Sequence, residues 1–388
     1  MAGLGIDKRT MAVALAGAAA FLDLYPTQAL LPDLATAFQA GPAEVALTVT
    51  VGTAAVALMA PLTGAIADRF GRKRLIVGAA LLLVIPTILT ALAGSLHALL
   101  VWRFIQGLLL PAIFAVTVAY VGEEYEPAEV PRASGLYIAG TIMGGFLGRF
   151  VAALVAEPFG WRWGLGSLAI LNLACALALW AWLPPAKKFR PVDSFGSVLG
   201  AMGRHLRRPN LVATFGLGFG VLFSLVAVFT YANFHLAAEP YHLSTAQLGA
   251  VFIVYLTGVA ASPWTGRLIR LLGRRGALAS AACLACIGLA VTLFQPLPLI
   301  IAGLAVCCGG IFITQSAATG YIAGHAPEAK TAAVGLYVAS YYLGGSLGAI
   351  VPAAAFARFD WPGVVASVWA VQAMMVLIAW IFWKEPKP

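Results

Sequence analysis

Apolar positions run through this chain in blocks, separated by short polar or glycine-containing turns. In order, the blocks fall at residues 11–37, 44–67, 75–93, 97–122, 132–156 and 161–183, then at 209–237, 244–266, 276–294, 297–322, 331–356 and 361–383. A hydrocarbon core of about 30 Å takes roughly 20 helical residues to cross. The pattern therefore predicts an all-α membrane protein with twelve transmembrane helices. The first block, preceded by Asp7, Lys8 and Arg9, is too long for a secretory signal and reads as a retained helix.

The polar residues between blocks are unevenly placed. In a twelve-span arrangement Lys8, Arg9, Arg69, Arg72, Lys73, Arg74, Arg132 and the basic stretches at 187–208 and 267–275 fall on one side, with only Arg162 and Arg358 flanking the other. Such asymmetry marks the cytoplasmic side and predicts both termini there. Composition agrees: 61% of residues are hydrophobic and only 10% charged, against about a quarter charged in soluble domains. The net charge of +9 thus speaks for topology in a cell inner membrane, with lipid as a partner, and not for nucleic acid.

The blocks also repeat. "GLYIAGTIMGGFLG" at 135–148 returns as "GLYVASYYLGGSLG" at 335–348, and "FGW" at 159–161 returns as "FDW" at 359–361. An offset of six spans leaves equivalent helices parallel, as in repeats related by an axis along the membrane normal. The expected organisation is a six-helix half over 1–183, a linker over 184–208 carrying an interfacial helix at 194–208, and a second six-helix half over 209–388.

Between the second and third blocks stands "GAIADRFGRKR", residues 64–74. It resembles the loop signature G-x-x-x-D-R-x-G-R-[RK] of the major facilitator superfamily at every defined position. "RFIQG" at 103–107 is similar to that superfamily's intramembrane arginine motif. "GTIMGGFLGR" at 140–149 is similar to the glycine-rich span-five motif of its proton-coupled exporters, with Gly145 in place of a proline and Arg149 in place of a glycine. With "LYPTQALLP" in the first block, the chain most resembles the acriflavine-sensitivity branch of drug exporters. The resemblance implies the major facilitator fold, alternating access, and a gating role for Gly64, Asp68, Arg69, Gly71, Arg72, Gly144, Gly145 and Gly148. Asp68 would meet the positive end of span eleven, near Thr331, and latch the halves. Topological anchoring alone explains the arginines of this loop, not its acid or glycines. The second half repeats it as "GRLIRLLGRR", 266–275, with Arg270 where Asp68 stands.

A charge near the bilayer centre costs about 2.5–3.5 kcal/mol on insertion scales and marks function by default. Four such charges stand out, all in the first half: Asp23 and Asp33 in span one, Arg103 in span four and Arg149 in span five. They form the expected proton-coupling group, Asp23 being the acid nearest mid-membrane. Arg149 is expected to pair with Asp23 or Asp33; the alternative is a side chain snorkelling to the headgroups. Tyr25, Gln28, Gln106, Tyr231, Asn233, Tyr255, Gln315, Tyr341 and Tyr342 are the expected substrate contacts, since aromatic faces and amides suit amphipathic organic molecules.

No enzyme constellation competes. The five histidines are scattered, no phosphate-cradling loop is present, and the cysteines, Cys283-x-x-Cys286 included, read as packing residues within spans. The expected protein is a monomeric secondary transporter, neither enzyme nor metal or cofactor binder, that exports a small organic compound against protons. Alternatives are a carrier for an organic anion or sugar, with Arg103 and Arg149 on the solute, and, from another class, a lipid flippase or a non-transporting receptor.

Overall fold

The computed structural model describes residues 7–186, 195–325 and 330–383. Every element among them is helical: α1 (Lys8–Leu22), a 3-10 turn (Pro26–Leu30), α2 (Leu31–Phe38), α3 (Pro42–Phe70), α4 (Arg72–Ala91), α5 (Leu96–Glu124), α6 (Val130–Phe159) and α7 (Trp161–Trp182), then α8 (Phe195–Leu206) and α9 (Pro209–Ala237). There follow α10 (Thr245–Val251), α11 (Tyr255–Ala261), α12 (Thr265–Val291), α13 (Leu297–His325), α14 (Lys330–Ile350) and α15 (Ala353–Phe382). Among the described residues ten stretches are long and apolar enough to cross a membrane, and the bent pair α1 and Pro26–Phe38 makes an eleventh. One of the ten, Thr245–Val291, runs 47 residues. It is kinked at the non-helical Gly273 (φ 71°, ψ 176°), where two helices meet, and each of the twelve expected blocks contains helix.

The chain folds as two compact units, one of residues 1–192 with 244–250, the other of 193–243 with 251–388. Ser244–Ala250, the start of span eight, thus groups with the first unit, not with the half in which the sequence places it. Of the linker, 187–194 lie outside the described residues. Helix α8 follows and packs Ala201 and Met202 against Ala332 and Leu336 of α14, so this face of the expected interfacial helix is covered by protein.

Within each unit the fifth span lies directly on the first. A Cβ at Gly140, Gly144 or Gly148 of α6 would fall on the backbone of Ala14, Ala18 or Leu22, and one at Gly344 or Gly348 of α14 on that of Phe219 or Phe223. Small residues at four-residue spacing let two backbones touch, which is how helices associate where no hydrophobic effect drives them together.

The turn into the last span of each unit also repeats, with a difference. Gly160 (φ 85°, ψ 162°) joins α6 to α7, while Asp360 holds the equivalent place in α15 at φ 52°, ψ −146°. That region of backbone space is nearly exclusive to glycine and costs another residue on the order of 1–3 kcal/mol. Asp360→Gly is therefore expected to stabilise the protein by about 1 kcal/mol after the added flexibility of the unfolded chain is counted. Thermal unfolding in detergent should show a raised midpoint; a lowered one would mean that the contacts of Asp360 outweigh its strain.

Candidate functional site

The site begins with a helix that stops inside the membrane. Pro26 has no N–H to return to the Leu22 carbonyl and pushes Tyr25 out of helical geometry, so α1 ends at Leu22 with Asp23 as its C-cap. The chain resumes as a 3-10 turn, and the two parts of span one differ in direction by 41°. A single continuous span over 11–37 is thus corrected to a broken one.

A helix end leaves carbonyls without partners, and in hydrocarbon no water can satisfy them. Arg103 does so. Its Nη1 donates to the Asp23 carbonyl (2.6 Å), its Nη2 to the Leu24 carbonyl (2.6 Å) and its Nε to the Thr48 carbonyl of α3 (3.2 Å). Nη1 also donates to Gln106 Oε1, one turn along α5, at 2.8 Å. A Cβ at Gly52 would stand 3.1 Å from Nη2, so that glycine makes room for the guanidinium.

The Asp23 carboxylate is held separately. Its Oδ2 accepts from Thr87 Oγ1 of α4 (3.2 Å) and, in a close contact, from Asn172 Nδ2 of α7. Gln106 Nε2 donates to Thr87 Oγ1 (2.9 Å), so carboxylate and guanidinium are linked through Thr87 and Gln106 without an ion pair. Oδ1 has no hydrogen-bond partner although Asp23 is 0% exposed. Thr87 and Asn172 escaped the sequence reading because both are uncharged and sit in apolar runs.

Arg149, expected to pair with Asp23 or Asp33, donates instead to Gln28 and to the backbone in its described hydrogen bonds. Its Nε and Nη2 donate to Gln28 Oε1 (3.0 and 2.8 Å), its Nη1 to the Gly145 carbonyl (2.7 Å), and its guanidinium lies 4.7 Å from the centre of the Tyr25 ring. The neighbouring Gly148 rests on Leu22, which places Arg149 beside the turn just past the break, where Tyr25 and Gln28 are what it meets. At 3% exposure it does not snorkel. Asp33 lies farther on and accepts from Thr245 Oγ1 at the start of α10 (3.1 and 2.9 Å), while Glu157 Oε2 accepts there from Ser244 Oγ and the Ala246 N–H (2.7 Å each).

The second unit carries the same slot without the charge. Gln372 Nε2 donates to Ser224 Oγ (3.0 Å); Gln372 lies 200 residues from Asn172, and Ser224 follows Phe223 as Asp23 follows Leu22 in the matched glycine contacts. Span seven, α9, is unbroken. Tyr231 and Asn233, expected as substrate contacts, have partners within the protein. Both are buried, and their polar groups serve backbone carbonyls, Tyr231 that of Ala349 (2.7 Å) and Asn233 that of Phe229 (2.6 Å). Tyr255 packs on Phe229 and Phe312. Gln315 is hydrogen-bonded to Tyr341, whose ring meets those of Tyr337 and Tyr342.

In the loop after α3, Gly71 has φ +83°, a backbone that suits glycine. Gly64 touches nothing within 4 Å of a would-be Cβ, so here it permits no close helix approach. Arg72 forms a two-pronged ion pair with Glu123 at the end of α5 (3.1 and 2.8 Å), while Arg69 is exposed. The Asp68 side chain and that of Thr331, its expected helix end, lie outside the described residues. In the second loop Arg270 is exposed, and Arg274 Nη1 lies 3.0 Å from His325 Nε2, a histidine standing where the first half has Glu123.

The family description Major Facilitator Superfamily matches residues 13–254 and again 228–388. The chain is 35% identical over 371 residues to the inner membrane transport protein YnfM of Escherichia coli (strain K12), covering 95% of this chain and 88% of that one. It is 31% identical over 373 residues to YybF of Bacillus subtilis (strain 168), an uncharacterized MFS-type transporter, covering 96% and 91%. Among solved structures the nucleoside transporter NupG matches with a TM-score of 0.79 at 13% identity, over 97% of this chain and 100% of that one, a likeness of fold.

The Arg149 geometry yields a double-mutant cycle. Arg149→Ala and Gln28→Ala should each lower the unfolding midpoint, and the pair should be less harmful than additivity by about 0.5–3 kcal/mol, whereas Arg149→Ala with Asp33→Asn should be additive. Coupling to Asp33 in place of Gln28 would overturn the assignment.

Proposed function

The chain belongs to the major facilitator superfamily and is a multi-pass membrane transporter, and on that footing we propose that it exports a small organic compound in exchange for protons, with Asp23 carrying the proton. The observation that carries this reading is the pair of matched slots, Asp23 with Asn172 and Ser224 with Gln372. Packing alone is served by a neutral residue there, as the second unit demonstrates, yet the first unit keeps a carboxylate in a fully buried place at a cost of several kcal/mol if ionised. Its hydrogen-bond partners are neutral donors. A carboxylate so placed can take up and lose a proton without dismantling an ion pair.

The same geometry weighs against the organic-anion carrier. Every guanidinium nitrogen of Arg103 and Arg149 already donates to this protein's own oxygens, so neither offers the free fork that binding a carboxylate solute would use. Gln28 and Gln106 are taken up in the same way. The solute contacts we retain are Tyr255, Gln315, Tyr341 and Tyr342, whose rings and amide suit an amphipathic compound. The end of the protein bearing the 64–74 loop is, by its arginines and lysines, the cytoplasmic one, and Asp68 is the latch of that loop. The reading is of a monomer in the inner membrane, the location given in the name of its relative YnfM.

In proteoliposomes, Asp23→Asn should abolish substrate-driven proton movement while leaving substrate binding or passive exchange measurable, the substrate being chosen first by a ligand-stabilisation screen. Asn172→Ala and Thr87→Val should slow the same proton movement by about tenfold each, the order of one hydrogen bond to a charged group. Proton flux through Asp23→Asn equal to that of the parent protein would remove Asp23 from the mechanism.

A further inference from the structure

The loop motif presents two arginines, Arg69 of the expected gating group among them, whose side chains are exposed. Arg72 is paired with Glu123, but Arg69 and Arg74, exposed on either side of the Gly71 turn, make no hydrogen bond or ion pair with any described residue. Both stand at the mouth of a groove of about 500 Å³ between α3 and α4, floored by Leu108 and Ala112 of α5. The groove exists because α3 and α4, though consecutive, lean on α5 far more than on each other.

Its walls are apolar. Met59 and Ile66 line one side and Leu75 and Leu82 the other, and the hydroxyl of Thr63 is turned back to the Met59 carbonyl (2.8 Å). Gly78 lies in the wall with nothing within 4 Å of a would-be Cβ, so no helix contact requires a glycine there and its missing side chain widens the groove. From Arg74 to Leu82 the helix climbs roughly 12 Å. Leu82 continues into Leu81, Ile85 and Ile88, an exposed stripe of α4 with 38–54% exposure, as expected of a surface that meets acyl chains. The groove is thus an apolar trough open to the membrane, closed at its basic end by two cations.

We propose that this groove is a binding site for one anionic phospholipid, an acyl chain lying between α3 and α4 and the phosphate meeting Arg69 and Arg74. The occupant follows from charge and depth together. Arginine forks suit phosphate oxygens, the cytoplasmic leaflet supplies anionic headgroups next to basic segments, and a soluble anion would leave the trough unfilled. The site does not depend on proton coupling or on which solute is carried.

Native mass spectrometry of the purified protein with phosphatidylglycerol and phosphatidylcholine of identical chains tests it. The protein should retain one phosphatidylglycerol with a preference of about 30-fold, roughly fivefold for each basic side chain. Arg69→Gln with Arg74→Gln should erase the preference, and Gly78→Leu should lose the lipid with both arginines intact, while raising helix propensity. Arg267→Gln with Arg270→Gln, in exposed positions of the other basic loop, should change nothing. Equal retention of the two lipids, full retention by Gly78→Leu, or the same loss in the Arg267/Arg270 control would each overturn the proposal, as would displacement of the lipid by millimolar inorganic phosphate.

Discussion

A helix that ends inside hydrocarbon has to satisfy its last carbonyls from within the protein, and the first unit is arranged around that requirement. Pro26 ends α1, and the carbonyls of Asp23 and Leu24 are claimed by Arg103. The cation is well placed twice over. It supplies the donors that water would supply elsewhere, and it sits at the negative end of the α1 dipole, where positive charge is stabilised. An arginine near mid-membrane is expensive when alone; here the polar groups it meets would be equally expensive without it. The broken span and the arginine therefore imply each other, and neither has a counterpart in the second unit, where α9 runs unbroken from Pro209 to Ala237.

That absence makes the internal repeat informative. What the two units share is backbone packing: the glycines of α6 and α14, the turns at Gly160 and Asp360, and the amide reaching from the sixth span of each to its first. What they do not share is charge. Serine replaces Asp23 and alanine replaces Arg149, and His325 replaces Glu123 opposite an arginine. A duplicated fold that keeps its contacts and varies its ionisable groups has shape common to both units and buried intramembrane charge concentrated in one.

How much of this the sequence discloses depends on what kind of physics each feature rests on. The twelve spans were legible because crossing a bilayer demands length and apolarity, and the Gly71 turn because its backbone angle favours glycine. The break in span one is written in "YPTQALLP", yet a proline alone does not announce it, since membrane helices commonly tolerate proline. The purpose of Arg149 is legible in its intramembrane charge, whereas Gln28, which its Nε and Nη2 meet, is a neutral residue that no charge pattern singles out. Arg103 binds backbone carbonyls, which every residue carries and no letter of the sequence distinguishes. Asn172 and Thr87, the residues on the Asp23 carboxylate, are ordinary members of apolar runs until the fold brings four helices together.

The chain of hydrogen bonds from carboxylate to guanidinium gives protonation a route to the backbone. The Thr87 hydroxyl has one proton, shared between Asp23 Oδ2 and the Leu83 carbonyl, and it accepts from Gln106, whose own oxygen accepts from Arg103. When Asp23 is ionised, the charge draws the Thr87 proton toward itself and polarises each successive donor in the same sense. When Asp23 is protonated that pull is gone, the Thr87 proton turns to Leu83, and the Gln106 link slackens at the far end as well. Arg103 is then held chiefly by the carbonyls of Asp23, Leu24 and Thr48, which are parts of span one and span two. If Asp23 carries the coupling proton as proposed, that proton acts on the hinge of the broken helix through the side chains that clamp it, and the break is where a change of one charge bears on the path of the backbone.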